Sequence, residues 1–100
     1  MRLEDAMNAT MFAAWLDTKP PGERYDYDHG GTGALNGKGC AIHQYLTETL
    51  GVDARSVGVG ISSVTVGRSV ANIPREMDFV AARSRTFGEA RHRLREVCNI

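Results

Sequence analysis

Residues 56–68 read SVGVGISSVTVGR, and their periodicity separates this chain from an all-helical protein. Apolar side chains stand at every second position on both sides of Ser62 and Ser63, which is the period of a strand with one buried face. This alternation predicts two short strands that meet at the serine pair. An irregular apolar segment is the alternative interpretation, because the glycines between the apolar residues weaken any strand.

The N-terminal residues 3–17 predict an amphipathic helix, because their apolar residues recur at every fourth position. The apolar stripe, which Phe12, Ala14 and Leu16 widen, consists of Leu3, Met7, Met11 and Trp15. Pro20 and Pro21 end the pattern, since proline disfavours helical geometry before it and lacks a backbone donor. The sequence therefore predicts one continuous helix ahead of this pair.

Three further helical patterns follow along the chain. Residues 40–50 predict a helix that Gly51 ends, a second helix begins at Pro74, and a third begins at the capping sequence Thr86-Phe87-Gly88-Glu89. The residues expected to be buried in the last two are Met77, Phe79, Val80 and Ala81, then Phe87, Ala90, Leu94 and Val97. We therefore predict a small, helix-dominated α+β fold, a single domain over residues 1–100 with about four helices and one short β-hairpin.

Charge is balanced in total but not along the chain. The 100 residues include 12 Lys and Arg and 12 Asp and Glu, for a formal net charge of zero, and 42% are apolar. This composition argues against a disordered chain and against a strongly basic protein that coats nucleic acid. Residues 1–50 carry a net charge of −3 and residues 51–100 a net charge of +3. This asymmetry points to binding partners and leaves room for two surfaces of opposite charge, unless folding mixes the halves.

The compartment is predicted from the N-terminus and the cysteines. Glu4 and Asp5 interrupt the apolar run that a secretory signal would need, and no apolar stretch reaches the ~18 residues of a membrane span. We expect a cytoplasmic protein with no membrane partner. Cys40 and Cys98 are then expected to be reduced thiols.

The segment from residue 22 to residue 39 predicts a long glycine-rich loop, and it contains the strongest candidate binding residues. These are Tyr25, Asp26, Tyr27 and Asp28. In an extended backbone the two rings would face one side and the two carboxylates the other. The rings would anchor the loop while the acids face a basic partner, and tyrosine is enriched in interface hot spots. A turn-rich loop held by buried tyrosines is the alternative interpretation.

Arginines dominate the C-terminal part of the chain. Those at positions 83, 85, 91, 93 and 95 suit a phosphate or an acidic protein surface. We predict Arg91 and Arg95 as secondary binding contacts. A solvated helix face and a helical DNA-binding module are the two alternatives.

Cys40 is the candidate for catalytic chemistry. It lies at a predicted helix start two residues after Lys38, where helix amides and a cation lower the pKa of a thiol, and His43 or His29 could act as its base. A small thiol-dependent enzyme is therefore the runner-up function, with a buried core thiol as the simpler interpretation.

The sequence predicts no metal and no cofactor. Cys40 and His43 form a tight pair, whereas a structural zinc site wants two such pairs. The glycine-rich run resembles a phosphate-binding loop, yet Gly39 stands where that motif needs a Ser or Thr hydroxyl, and no strand pattern precedes it.

Three motifs together resemble a known group of proteins. They are Phe12-x-x-Trp15-Leu16, Tyr25-Asp26-Tyr27 and Cys40-Ala41-Ile42-His43-Gln44-Tyr45-Leu46. The first half of the chain is similar in these motifs to small phage and mobile-element proteins, among them type I-F anti-CRISPR proteins. The resemblance implies a non-enzymatic inhibitor that binds a bacterial ribonucleoprotein, the CRISPR surveillance complex, and blocks recognition or unwinding of target DNA. It carries no catalytic signature.

Overall fold

A computed structural model describes residues 1–24, 41–60 and 62–99. The described helices are α1 (Leu3–Ala6), α2 (Ala9–Leu16), α3 (Ala41–Leu50), α4 (Arg75–Arg83) and α5 (Phe87–Cys98), with a 3₁₀ turn at Ala54–Ser56. The strands are β1 (Val57–Val59), β2 (Ser63–Val66) and β3 (Ser69–Asn72). The predicted α+β class is confirmed. No helix in the described ranges is long and apolar enough to cross a membrane.

The N-terminal helix is divided, so the prediction of one continuous helix over residues 3–17 was wrong. Asn8 has an extended backbone, and its side-chain oxygen accepts a hydrogen bond from the Met11 amide at 3.1 Å. An asparagine at this position offers the backbone an N-cap in place of helix continuation. The division also rotates the buried face, so that Phe12 and Leu16 are fully buried while Ala14 is exposed.

The predicted hairpin is confirmed, and a third strand extends it. The three strands form an antiparallel sheet in the order β1-β2-β3, with Val59 opposite Val64 and Val64 opposite Ala71. A turn at Gly67 and Arg68 connects β2 to β3, and Gly67 adopts a φ of +59° that favours glycine. Sequence analysis missed β3 because Val70 is its one large apolar residue.

The helix ends follow the predicted capping residues. Gly51 ends α3 with a φ of +65°, and its amide donates to the Thr47 carbonyl oxygen at 3.0 Å. Pro74 is the N-cap of α4, so the helix begins one residue later than predicted. The Thr86 side-chain oxygen accepts from the Glu89 amide at 3.2 Å at the start of α5.

The core lies where the helices meet one another and the inner face of the sheet. Its centre is aromatic: Tyr45 packs edge-to-face on Phe12 and Trp15, with ring centroids 5.1 and 5.5 Å away, and Phe87 packs edge-to-face on Trp15 at 5.5 Å. α2, α3 and α5 each contribute to this cluster. It therefore joins both halves of the chain.

Two residues expected in the core lie at the surface instead. Phe79 is 45% exposed and Val97 is 49% exposed. The buried residues of α4 are Met77, Val80 and Ala81, and Phe79 lies about 100° around the helix from Val80. Val97 lies in the last turn of α5, beyond the buried Leu94.

Candidate protein-binding surface

The predicted acidic loop falls outside the part of the chain that the structure describes. Tyr25, Asp26, Tyr27 and Asp28 belong to residues 25–40, so their role stays a prediction. The same holds for Cys40, His29 and the glycine-rich run at 30–39.

The segment immediately before that range is held on the N-terminus of α5. The Phe87 amide donates to the Glu23 carbonyl oxygen at 3.1 Å, and the Gly88 amide donates to the Pro21 carbonyl oxygen at 2.9 Å. Arg24 forms an antiparallel bridge with Thr86. These bonds satisfy backbone donors that the first helical turn leaves without an internal partner.

Arg91 and Arg95 lie together on α5, and both contact the same carboxylate. Arg91 Nε contacts Asp17 Oδ1, and Arg95 Nη2 lies 3.7 Å from Asp17 Oδ2. Asp17 is the C-cap residue of α2, so the two arginines connect α5 to α2. Their charge is thereby partly neutralised by an acid from the other half of the chain. About half of each guanidinium side chain remains exposed.

His43 is a core residue. Its ring is 1% exposed, and Nε2 lies 2.9 Å from the Ala54 carbonyl oxygen, which orients the ring toward the backbone that precedes β1. An Nε2–H that donates to this carbonyl is the tautomer consistent with the contact.

Cys98, the free cysteine within the described ranges, is half-buried in the last turn of α5. Burial, followed by the nearby Glu76 carboxylate, raises the pKa of this thiol. A raised pKa lowers the thiolate fraction at neutral pH, which makes the sulfur a poorer nucleophile. Residues 1–24, 41–60 and 62–99 contain no cluster of three metal-ligating side chains.

A polar crevice of about 250 Å³ lies between the end of α2 and α3. Lys19 Nζ lies 2.7 Å from both carboxylate oxygens of Glu48, and Trp15 Nε1 donates to Glu48 at 3.2 Å. The Lys19 side chain is 18% exposed, and its Nζ lies 5.0 Å from the Trp15 ring centroid. The lysine and the glutamate neutralise each other. Because Lys19 follows α2 and Glu48 belongs to α3, this ion pair connects the two helices.

A second crevice lies between the N-terminal segment and the turn end of β2 and β3. Its volume is about 500 Å³, and its apolar lining includes Leu50, Val52, Val66 and Val70. Val70 is 68% exposed and Met1 is 72% exposed, and both line this crevice. Its charged lining residues, Arg2 and Glu4, lie 3.5 Å apart and form an ion pair with each other.

The most distinctive surface is formed by α4 and α5. Phe79 and Val97 line one groove of about 360 Å³ with Arg75 and Glu76, and we name this surface the Phe79 patch. The Arg83 guanidinium carbon lies 4.9 Å from the centroid of the Phe79 ring, a cation–π arrangement. Arg93 donates to the Arg83 carbonyl oxygen, which holds a further cation beside the groove.

Sequence analysis missed this surface because it placed both apolar residues in the core. A signal was present in the spacing: Arg75, Phe79 and Arg83 follow one another at i+4 and share one face of α4. A large apolar residue between two arginines on one helical face indicates a surface residue.

Comparison with known proteins identifies no relative of this chain. No protein-family model matches it, and neither a curated protein nor a solved structure does. The chemistry of the surfaces described above is therefore what can indicate a function.

Proposed function

We propose that this protein is a non-enzymatic inhibitor that acts by binding another protein through the Phe79 patch. One observation carries the proposal: a phenylalanine and a valine, 45% and 49% exposed, line the same groove between α4 and α5. A partner that covers them would remove their apolar surface from water, which favours binding.

The side chains around the groove support protein binding. Arginine and aromatic residues are enriched at the centres of protein interfaces, whereas most charged residues are depleted there. Arg83 is already stacked on the Phe79 ring, so less side-chain freedom remains to be lost when a partner covers it. The patch thus combines an apolar anchor with a partly ordered cation.

The partner that the sequence resemblance implies is a type I-F CRISPR surveillance complex in the cytoplasm of a bacterial cell. Occupation of one of its protein surfaces would block recognition or unwinding of target DNA without any chemical step. Tyr25, Asp26, Tyr27 and Asp28 are proposed as a second contact, in which the acids replace DNA phosphates on a basic surface. Arg91 and Arg95 stay proposed as secondary contacts, separate from the Phe79 patch, because about half of each side chain is exposed beside Asp17.

Affinity for a purified type I-F complex tests this function. We expect Phe79→Ser to weaken binding at least tenfold, a loss of about 1.4 kcal/mol, because the apolar anchor is removed. Inhibition of target-DNA binding should weaken in parallel. The control is Val70→Ser, which removes a more exposed apolar side chain, at 68% against 45%, from β3 and should leave binding unchanged.

Two different results would contradict the choice of binding surface and the choice of partner. Equal affinities for the wild type and Phe79→Ser would show that the patch is not the binding surface. A wild-type protein that does not bind the complex at micromolar concentration would show that the CRISPR partner is wrong.

A further inference from the structure

We infer that the partner segment covering the Phe79 patch is an amphipathic acidic helix, with apolar residues that enter the groove and carboxylates on either side of them. This inference rests on the proposed function, since it assigns a chemistry to the partner of the same surface. The basic rim and the shape of the groove both favour such a helix over other occupants.

The rim of the groove is predominantly basic. Arg75 and Arg83 lie one helical turn before and after Phe79, and Arg93 is held against the end of α4. In the described chain no carboxylate lies within ion-pair distance of Arg75 or Arg83. Glu76 is the acid that lines the groove. Carboxylates of a partner would therefore find two cations that form no ion pair with any carboxylate among the described residues.

Arginine suits this task better than lysine would. Its planar guanidinium binds a carboxylate through two parallel hydrogen bonds and is weakly hydrated, so it keeps its charge in a partly dry interface. The Arg83 guanidinium carbon lies 4.9 Å from the centroid of the Phe79 ring, so this cation is held beside an apolar side chain of the groove. The geometry places the apolar and the charged contacts within one helical turn of each other.

The groove also fits a helix. It runs between α4 and α5, which pack on each other, and its volume of about 360 Å³ admits more than one apolar side chain. An amphipathic helix supplies such side chains at i and i+4 and places acidic residues beside them. Helix-in-groove binding therefore matches both the apolar lining and the flanking arginines.

Two other occupants fit less well. In a symmetric dimer of this surface the same arginine-rich rims would face each other, and like charges oppose that contact. Nucleic acid would satisfy the arginines, but it offers little to cover Phe79 and Val97 apart from base faces. An acidic helix satisfies both kinds of side chain.

Nuclear magnetic resonance on the full chain, with three probes, tests the inference. The probes are a synthetic helical peptide with leucines at i and i+4 flanked by glutamates, the same peptide with lysines in place of glutamates, and a short DNA duplex. We expect the glutamate peptide to shift the Phe79 ring and Val97 methyl signals saturably, with at least tenfold higher affinity than the lysine peptide.

Charge-reversed variants supply the internal control. Arg75→Glu combined with Arg83→Glu should reverse the preference, so that the lysine peptide becomes the better ligand. Arg2→Glu combined with Arg68→Glu makes the same change in net charge away from the patch and should leave the preference for the glutamate peptide intact.

Each other result overturns the inference. Equal affinity for both peptides would show that the arginines do not select acidic side chains. Absence of shifts at Phe79 and Val97 would show that no helix binds in the groove. Stronger shifts with the duplex would assign the patch to nucleic acid. Because the complex-binding test of Phe79→Ser is separate, success there with failure of the peptides would leave the proposed function standing and discard the acidic helix.

Discussion

Tyr45 combines full burial with a paired hydroxyl group. Its side chain is 1% exposed, and the hydroxyl donates to the Ala6 carbonyl oxygen at 2.6 Å, which connects α3 to α1. Burial disfavours the phenolate and raises the pKa of Tyr45 from 10.0 to about 12. The neutral form that folding requires is therefore favoured over a wider pH range than in the unfolded chain.

The raised pKa of Tyr45 predicts loss of stability in alkali. In the unfolded chain the phenol ionises near pH 10, whereas in the folded chain it stays protonated until about pH 12. Its contribution is complete below pH 10 and is lost as pH rises to 12, because the unfolded state releases the proton first. Tyr45→Phe cannot ionise, so the difference in unfolding free energy between the two proteins should fall across this range.

Chemical denaturation at several pH values measures this difference. At neutral pH we expect Tyr45→Phe to be less stable by about 1 kcal/mol, since the Ala6 carbonyl loses its donor. Parallel stability profiles from pH 9 to pH 12 would show that Tyr45 does not titrate in this way.

At the scale of elements, the contact between the Pro21 segment and α5 depends on a glycine. The Gly88 amide donates to the Pro21 carbonyl oxygen, and a Cβ at Gly88 would lie 2.7 Å from that oxygen and 2.9 Å from the Pro21 Cβ. The obstructing oxygen belongs to the backbone, so it cannot rotate away. Glycine is required here because two backbones approach each other closely.

Gly88→Ala therefore reverses the usual effect of this substitution in a helix. Alanine normally stabilises a helix interior by about 0.5–1 kcal/mol relative to glycine. Here we expect a loss of about 1–3 kcal/mol in unfolding free energy, because the Pro21 segment must move away from α5. Gly22→Ala is the control, since its Cβ meets nothing within 4 Å, and it should change stability by less than about 0.5 kcal/mol. Stabilisation by Gly88→Ala would contradict the close contact.

Some element boundaries depend on local sequence signals, whereas others depend on packing against a neighbouring element. Caps at Gly51 and Thr86 were predictable because their bonds lie within one turn of the chain. Asn8 is a preferred N-cap residue, and this local signal for a helix start was overlooked because the apolar period continues through it. β3 has almost no apolar pattern of its own, and it is a strand because β2 lies beside it.

At the scale of the whole molecule, Lys19 connects α2, α3 and α5. Its ammonium group lies 2.7 Å from both Glu48 oxygens, 5.0 Å from the Trp15 ring centroid and 5.9 Å from the Phe87 ring centroid. Residues from both halves of the chain meet at this point. The ion pair and the two aromatic faces act on a side chain that is 18% exposed, so water screens them incompletely.

Lys19→Met is expected to lower the unfolding free energy by about 1–2 kcal/mol, because it removes an ion pair and the cation over two rings. A double-mutant cycle with Glu48→Gln isolates the contribution of the pair. The matched control is Arg2→Met, which breaks an exposed pair with Glu4 at 3.5 Å and should cost less than about 0.5 kcal/mol. Equal effects of the two substitutions would show that Lys19 has no special role in stability.

Sequence alone determined the class of fold, the hairpin and the ends of the later helices, because these depend on the period of apolar residues and on bonds within a single turn. Tertiary structure decided which apolar residues are buried, since burial depends on the neighbouring elements. It placed Phe79 and Val97 at the surface and brought Asp17 of the acidic half against Arg91 and Arg95 of the basic half. Acidic and basic residues therefore pair with each other on one side of α5. Where α5 meets α4, Arg75 and Arg83 flank an apolar groove instead.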